Sequence, residues 1–331
     1  MRVLVLRFSS LGDVALCLPA LKSVLAQNPS LEITFVTRKA FAPLFQDLAR
    51  TQIEFLQPDS EHKGLPGLYR LFKELKSKYA FEAVIDLHNV LRTQVLRNLF
   101  RLSGLRVAFY QKDRKSRELL TRKDNKKRLV VNHSVNEYLE VFGKVGLTAE
   151  FIEGPCLGEQ FARSEEALGF APMASNRQKS WPLRHARELL ESLEKLNHKV
   201  WLFGGPNEVK ELEKLGDGLQ NVEVLAGNKK GLLGDIENMR KLKLMISMDS
   251  ANMHLAALSG VPTVSIWGAT HPDAGFAPLG KHHEIVQKSI DELPCRPCSV
   301  FGQKTCHRGD WACLEQLSHS EVLKAIDKLL A

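Results

Sequence analysis

The chain has 331 residues, 44% of them hydrophobic and 25% charged, a composition that suits two soluble domains of ordinary size and excludes intrinsic disorder. Lys and Arg outnumber Asp and Glu by 46 to 38, and this excess favours an anionic partner: a nucleotide, a phosphorylated substrate, a nucleic acid or a membrane surface. No run reaches the roughly 18 apolar residues of a membrane span, and Arg7 and Asp13 interrupt the N-terminal stretch where a signal peptide needs an unbroken apolar core, so a cytoplasmic location is expected.

The first element is the apolar run Val3-Leu4-Val5-Leu6, which breaks at Arg7-Phe8-Ser9-Ser10-Leu11-Gly12 and delivers Asp13 where a helix begins. A carboxylate at the C-terminal end of the first strand of an α/β sheet lies where such sheets bind ligands. Gly12 stands alone and G-x-G-x-x-G is missing, which argues against a nicotinamide or flavin site. Ser9, Ser10 and Asp13 equally suit the cap of a helix through Leu16, Leu21 and Leu25, so plain capping is the competing reading.

Strands are expected at 2–8, 32–36, 53–56, 83–87 and 106–109, with helices at 14–27, 40–48, 65–79 and 90–102 between them and another at 135–145. After the fourth strand, Asp86-Leu87-His88-Asn89-Val90-Leu91-Arg92 places Arg92 near a strand end. Residues 112–128 are dense in Lys and Arg but poor in aromatics, which leaves no stacking platform for single-stranded nucleic acid. A solvated loop and an anion-binding loop both fit this stretch. Residues 153–167, with Gly154, Pro155 and Gly158 and no sustained apolar period, are the linker candidate. They divide the chain into domains 1–160 and 161–331.

The pattern then restarts, with strands at 168–174, 199–203, 222–225, 244–248 and 262–267 and helices at 182–196, 207–215, 234–242 and 252–258. Such alternation predicts an α/β fold of βαβ units with parallel sheets, two similar halves facing a ligand cleft. The final helix, 315–330, can pack on either half.

Three segments of the second half end a strand with polar residues. Met248-Asp249-Ser250-Ala251 leads into a helix whose free N–H groups suit a phosphate, with His254 in its first turns; an Asp/Ser cap with a packing His is the plainer alternative. Ser175-Asn176-Arg177-Gln178-Lys179-Ser180-Trp181-Pro182 projects an ammonium before a helix that Pro182 can open, a position suited to a diphosphate. Phe203-Gly204-Gly205-Pro206-Asn207-Glu208 lets the backbone approach a ligand and places Glu208 to accept from ribose hydroxyls. Cys295, Cys298, Cys306 and Cys313 are close enough in sequence for a tetrahedral structural zinc site, although the spacing is short beside common zinc ribbons. Reduced or otherwise paired thiols are the alternative, and a cytosolic location disfavours disulfides.

Together Arg7-Phe8-Ser9-Ser10-Leu11-Gly12-Asp13, Lys179-x-Trp181-Pro182, Gly204-Gly205-Pro206-x-Glu208 and Asp249-Ser250-x-x-x-His254-x-Ala256 resemble glycosyltransferase family 9, the ADP-heptose:lipopolysaccharide heptosyltransferases, over nearly the whole chain and in the same order. The resemblance implies a GT-B fold of two Rossmann-like domains, the first binding the acceptor and the second the nucleotide sugar. It implies inverting transfer of heptose from ADP-heptose to an anionic lipopolysaccharide precursor, lipid A with 3-deoxy-octulosonate. Asp13 matches the base and Lys179 the diphosphate-binding lysine. Ser175, Glu208, Asp249, Ser250, Ala251 and His254 match the donor side, while Ser10, Gly12, Arg92, Arg114, Lys115 and Arg117 are the acceptor candidates. No cofactor is implied for catalysis and no nucleic acid as partner, and peripheral contact with the inner membrane fits the acceptor. The chain departs from the family where Ala251 replaces a common Gly and Met253 a small hydroxyl residue. Another nucleotide sugar or acceptor, or a non-catalytic nucleotide-binding homologue, are the alternatives.

Overall fold

Residues 1–159, 161–162 and 164–331 are described by a computed structural model. Gln160 and Arg163, within the expected linker and at the expected boundary after residue 160, lie outside the described residues. The chain falls into two units, Met1–Lys112 with Ser134–Cys156, and Asp113–His133 with Leu157–Ala331.

The first half runs β1 (Arg2–Leu6), α1 (Leu11–Ala15), α2 (Cys17–Gln27), β2 (Glu32–Thr37), β3 (Thr51–Phe55), α3 (Gly64–Lys78), β4 (Ala83–Asp86), α4 (Leu91–Leu102), β5 (Arg106–Phe109), α5 (Arg114–Thr121) and α6 (Ser134–Gly143). The helix expected over 14–27 begins earlier and is broken in two, because Pro19 has no N–H for the carbonyl of Ala15. The helix expected over 40–48 is a 3-10 segment, Lys39–Phe45, with Pro43 inside it, where a proline again removes the α-helical hydrogen bond. All strand pairs of this sheet are parallel, in the order β3-β2-β1-β4-β5. Leu4 and Leu6 pack with Leu68, Leu71 and Leu75 of α3 and Leu96 and Phe100 of α4. Val3 and Val5, on the opposite face, are just as buried. Both faces are therefore covered, which is why β1 reads as a continuous apolar run instead of an alternating one.

The second unit contains β6 (Ala167–Ala171), α7 (Leu183–Lys195), β7 (Val200–Leu202), α8 (Val209–Gly216), β8 (Val222–Val224), α9 (Leu232–Met239), β9 (Leu242–Met248), α10 (Ala251–Leu258), β10 (Thr263–Ile266), β11 (His283–Val286), α11 (Ala312–Glu315) and α12 (His319–Leu330). Its parallel sheet has the order β11-β10-β9-β6-β7-β8. β11 has no counterpart in the sequence reading, since its four residues at the sheet edge begin with His283 and Glu284. The last helix packs in this unit, where Val322, Ala325 and Ile326 join the core with Leu189, Leu190 and Leu193 of α7. No helix among the described residues is long and apolar enough to cross a membrane.

The segment Asp113–His133 belongs to the second unit, although the sequence reading placed its basic residues in the first. Lys126 Nζ donates to the carbonyls of Pro294, Cys295 and Pro297 at 3.2, 2.7 and 2.8 Å. Val131 N–H donates to the Asp273 carbonyl at 2.8 Å, and Arg128 pairs with Asp291.

Beyond β10 the chain is held by Arg296, which is 0% exposed. Its guanidinium donates to the carbonyls of Trp267, Gly268, Thr270 and Lys288 and to Gln287 Oε1. Removing the donor from several buried acceptors costs about 1–3 kcal/mol for each left unsatisfied. Arg296→Met is expected to destabilise the second unit by roughly 3 kcal/mol or more, seen as a lower urea midpoint of that unit's unfolding transition; a midpoint equal to wild type would contradict this role.

Candidate functional site

In the first unit the strand order reverses between β1 and β4, since the chain builds outward from β1 to β3 on one side and then returns to add β4 and β5 on the other. A crevice opens at such a point beyond the carboxyl ends of the strands. The turn after β1 delivers Arg7, Ser10, Gly12 and Asp13 there, with Asp13 in the first turn of α1. Arg7 is buried beneath the turn, with Nη2 2.8 Å from Asp13 Oδ2. It also donates from Nε to the Ser9 carbonyl at 3.0 Å and from Nη1 to the Leu87 carbonyl at 2.6 Å, tying the ends of β1 and β4 together. Ser10 donates to Asp13 Oδ2 from Oγ at 2.9 Å and from its N–H at 3.4 Å.

The capping reading is thus realised in part, because a carboxylate at the third helical position accepting from the N-cap N–H is half of a capping box. Capping does not explain the buried guanidinium. Burial pushes the Asp13 carboxyl up, but Arg7 and the two Ser10 donors outweigh it, and the pKa lies below the ordinary value of 3.8. The Asp13 side chain keeps 27% of its surface exposed. Arg7 stands in the motif, but the sequence reading gave it no role of its own.

In the second unit the order reverses between β6 and β9, and two of the singled-out segments leave those strands. Ser175 and Lys179 lie on the connection after β6, Lys179 closing the 3-10 turn Arg177–Lys179, while Asp249 and Ser250 follow β9. Lys179 Nζ pairs with Asp249 Oδ2 at 3.0 Å, the side chains being 15% and 9% exposed. Ser250 holds the N-cap position of α10 without a side-chain cap bond, its Oγ lying 3.2 Å from Ser247 Oγ, and Ala251 opens that helix. Gly302 is needed beside Lys179: its φ is +72°, and a Cβ there would stand 2.5 Å from Lys179 Cγ. Asn176 donates to the Phe301 carbonyl at 3.2 Å, so the loop before α11 packs on the Lys179 turn.

His254 and Met253 are buried in α10, Met253 completely. The departure at 253 is therefore a packing choice, and Ala251 is the one at the helix start. Glu208 caps its own turn, accepting the Gly205 N–H at 2.6 Å, and a Cβ at Gly204 would meet Glu208 Oε2 at 2.8 Å.

The remaining candidates are placed elsewhere. Arg92 is exposed on α4. Arg114, Lys115 and Arg117 lie on α5, which belongs to the second unit, while Ser10 and Gly12 belong to the first. Arg117 is buried, donates to the Ala274 carbonyl at 3.1 Å and stacks over Phe276, which gives it a packing role. The four cysteines lie close enough to act on one another's thiols, Cys295, Cys298 and Cys306 all bearing on Cys313. Among the described residues no group of three or more His, Cys, Asp or Glu side chains could hold a metal ion. Cys313 is turned into the core of the second unit on α11, where burial pushes its thiol up to about 11, while Cys295, Cys298 and Cys306 stand on the preceding loop.

Residues 68–303 match the family model described as glycosyltransferase family 9 (heptosyltransferase). Lipopolysaccharide heptosyltransferase 1 of Pseudomonas aeruginosa is 26% identical, covering 92% of this chain and 87% of that protein. Among solved structures, the family 9 glycosyltransferase of Veillonella parvula superposes with a TM-score of 0.76 at 21% identity, covering 99% of this chain and 97% of that one. The Escherichia coli heptosyltransferase WaaC with ADP-2-deoxy-2-fluoro heptose gives 0.73 at 22% identity, covering 99% of each chain. The α/β fold with two parallel sheets is that of the GT-B class.

Arg7 is what keeps the Asp13 proton affinity low. In Arg7→Met, burial acts without a cation to offset it, and the Asp13 carboxyl, followed by 13C NMR titration, is expected to move from below 3.8 to above it. The sign of the stability linkage follows: a lowered folded-state pKa contributes stability above the unfolded value that is lost as pH falls through the folded one. An unchanged titration in Arg7→Met would show that Arg7 does not set this pKa.

Proposed function

Because the chain belongs to glycosyltransferase family 9, the heptosyltransferases, and is therefore a glycosyltransferase, we propose that it transfers heptose from ADP-heptose to the inner core of a lipopolysaccharide precursor with inversion at the anomeric carbon. The observation that carries this reading is that each unit brings its distinctive motif to the point where its strand order reverses: an ionised Asp13 in one, the Lys179–Asp249 pair in the other.

In the proposed step the acceptor hydroxyl oxygen attacks the anomeric carbon as the bond to the diphosphate oxygen breaks. Asp13 takes the hydroxyl proton, and ADP leaves with the bonding electron pair. Lys179 meets the charge that develops on the diphosphate, and the free N–H groups at the start of α10, with Ser250 and Ala251, supply further donors. Asp249 keeps the ammonium oriented until the diphosphate arrives. Ser175 and Glu208 complete the donor side, Glu208 through its free carboxylate capacity toward a ribose. Ser10 and Gly12 border the acceptor beside the base. The nucleotide sugar bound by the WaaC neighbour and the activity printed for the Pseudomonas relative support the choice of donor and acceptor. The net charge of +8 supports peripheral contact with an anionic membrane surface, where a lipid-anchored acceptor would be met.

Asp13→Ala is expected to lower kcat by ~10²–10⁴-fold, the usual contribution of a positioned base, with the donor KM little changed. Lys179→Ala should raise the donor KM and lower kcat together. Steady-state transfer of heptose from ADP-heptose to a heptose-free lipopolysaccharide acceptor measures both. Equal kcat in wild type and Asp13→Ala would remove the base, and a preference for a different nucleotide sugar would remove the donor.

A further inference from the structure

Lys179 stands on a turn that other parts of the second unit hold in place. At the exit of β10, the Ala269 N–H donates to the Gln178 carbonyl at 3.1 Å, and on the loop before α11 the Phe301 carbonyl accepts from Asn176 at 3.2 Å. A further support comes from α11 and acts by charge. Arg177 opens the 3-10 turn that Lys179 closes; it donates from Nη1 to the Ser180 carbonyl at 3.0 Å and pairs through Nη2 with Glu315 Oε1 at 2.8 Å. Its guanidinium lies over the Trp311 ring, 5.1 Å from the centroid. The other Glu315 oxygen pairs with Arg184 of α7, and the Glu315 carbonyl lies 3.0 Å from His185 Nε2. One carboxylate therefore joins the turn that carries Lys179 to the helix that follows it.

We propose that Glu315 is a positioning residue for transfer, clamping Arg177 so that the turn aims the Lys179 ammonium at the diphosphate. The proposal rests on the reading of Lys179 as the group that meets the diphosphate, and it has Glu315 act through that ammonium without touching the nucleotide sugar.

Glu315 is well placed to transmit rigidity. Ala312, Cys313 and Leu314 are buried in the core of the second unit, so α11 is anchored there and Glu315 emerges from a fixed element. The turn and α11 also meet at Gly268, where a Cβ would stand 2.7 Å from both the Gln178 carbonyl oxygen and Leu314 Cδ1. Burial pushes the Glu315 carboxyl up, but Arg184 and Arg177 outweigh it and hold the pKa below the ordinary 4.5, so the clamp is ionised at neutral pH. Ion pairs whose arginines are 44% and 58% exposed contribute little to stability. Their worth lies in direction: a guanidinium held between a carboxylate and a backbone carbonyl is fixed in plane and angle. A lysine is a point charge on a flexible stem, so its aim depends on where the turn puts its Cα. A misplacement of about 1 Å caused by a remote change can cost ~10²-fold in rate.

The test measures ADP affinity by calorimetry on the full chain in wild type, Lys179→Ala, Glu315→Ala, Glu315→Gln and the double variant Lys179→Ala with Glu315→Ala. Lys179→Ala should weaken ADP by ~10-fold or more, the loss of a charge-assisted contact. Glu315→Ala should weaken it by ~3–10-fold, with Glu315→Gln recovering part of the loss and the urea midpoint equal to wild type in both. In the double variant ADP should bind within about 2-fold of Lys179→Ala, because an effect that runs through the ammonium vanishes with it. In transfer assays Glu315→Ala should raise the donor KM and lower kcat by ~10-fold, with the acceptor KM unchanged. Equal ADP affinity in wild type and Glu315→Ala, fully additive losses in the double variant, or a lowered urea midpoint accompanying the loss overturns the proposal. Where Lys179→Ala weakens ADP and Glu315→Ala does not, this inference alone fails. Where Lys179→Ala binds ADP as tightly as wild type, the diphosphate reading of Lys179 fails and takes the inference with it.

Discussion

The arrangement of both candidate centres depends on one constraint, the reversal of strand order in a parallel sheet. Each sheet grows outward from its first strand and then returns to add strands on the other side of it, so the loops after β1 and β4, and after β6 and β9, turn away from each other and leave an opening. Neither opening can be lined by ordinary packing, because the helices that cover the sheet faces depart in opposite directions. Polar residues that would be costly inside the sheet are tolerated at such a place and can meet a ligand. In both units an ion pair sits there: Arg7 with Asp13, Lys179 with Asp249.

Much of this was legible because strand ends announce themselves in sequence. Val3-Leu4-Val5-Leu6 and Leu244-Met245-Ile246 are apolar on both faces, as fully covered parallel strands must be, and each stops abruptly at polar residues. The same logic hid β11, whose edge position removes the need for an unbroken apolar run. The segment Asp113–His133 was hidden for a different reason. Its membership of the second unit is decided by a lysine seeking carbonyls and by an arginine stacked on Phe276, and neither preference leaves a periodicity.

The loop carrying Cys295, Cys298 and Cys306 takes its meaning from its neighbours more than from its sulfurs. Lys126 holds it at three carbonyls, Arg296 anchors it beneath β10, and its later residues Phe301 and Gly302 lie on the Lys179 turn. A side chain at 302 would displace the lysine stem. The loop is therefore a brace, passing the rigidity of the β10 end to the ammonium, and its residues matter to Lys179 whether or not the thiols have a chemistry of their own.

The state of Asp13 constrains the proposed chemistry. A carboxylate held ionised by a buried guanidinium is always ready to accept a proton, but its affinity for one is low, and a hydroxyl group does not surrender its proton to so weak a base in the ground state. Transfer becomes favourable only as the oxygen bonds to the anomeric carbon and its acidity rises. The Arg7–Asp13 pair thus suits a displacement in which departure of the diphosphate runs ahead of deprotonation. Such timing places the larger electrostatic demand on Lys179 and the start of α10, because charge accumulates on the leaving group before the proton has moved. In the proposed reaction, the low proton affinity of Asp13 and the braced ammonium of Lys179 would answer the same requirement.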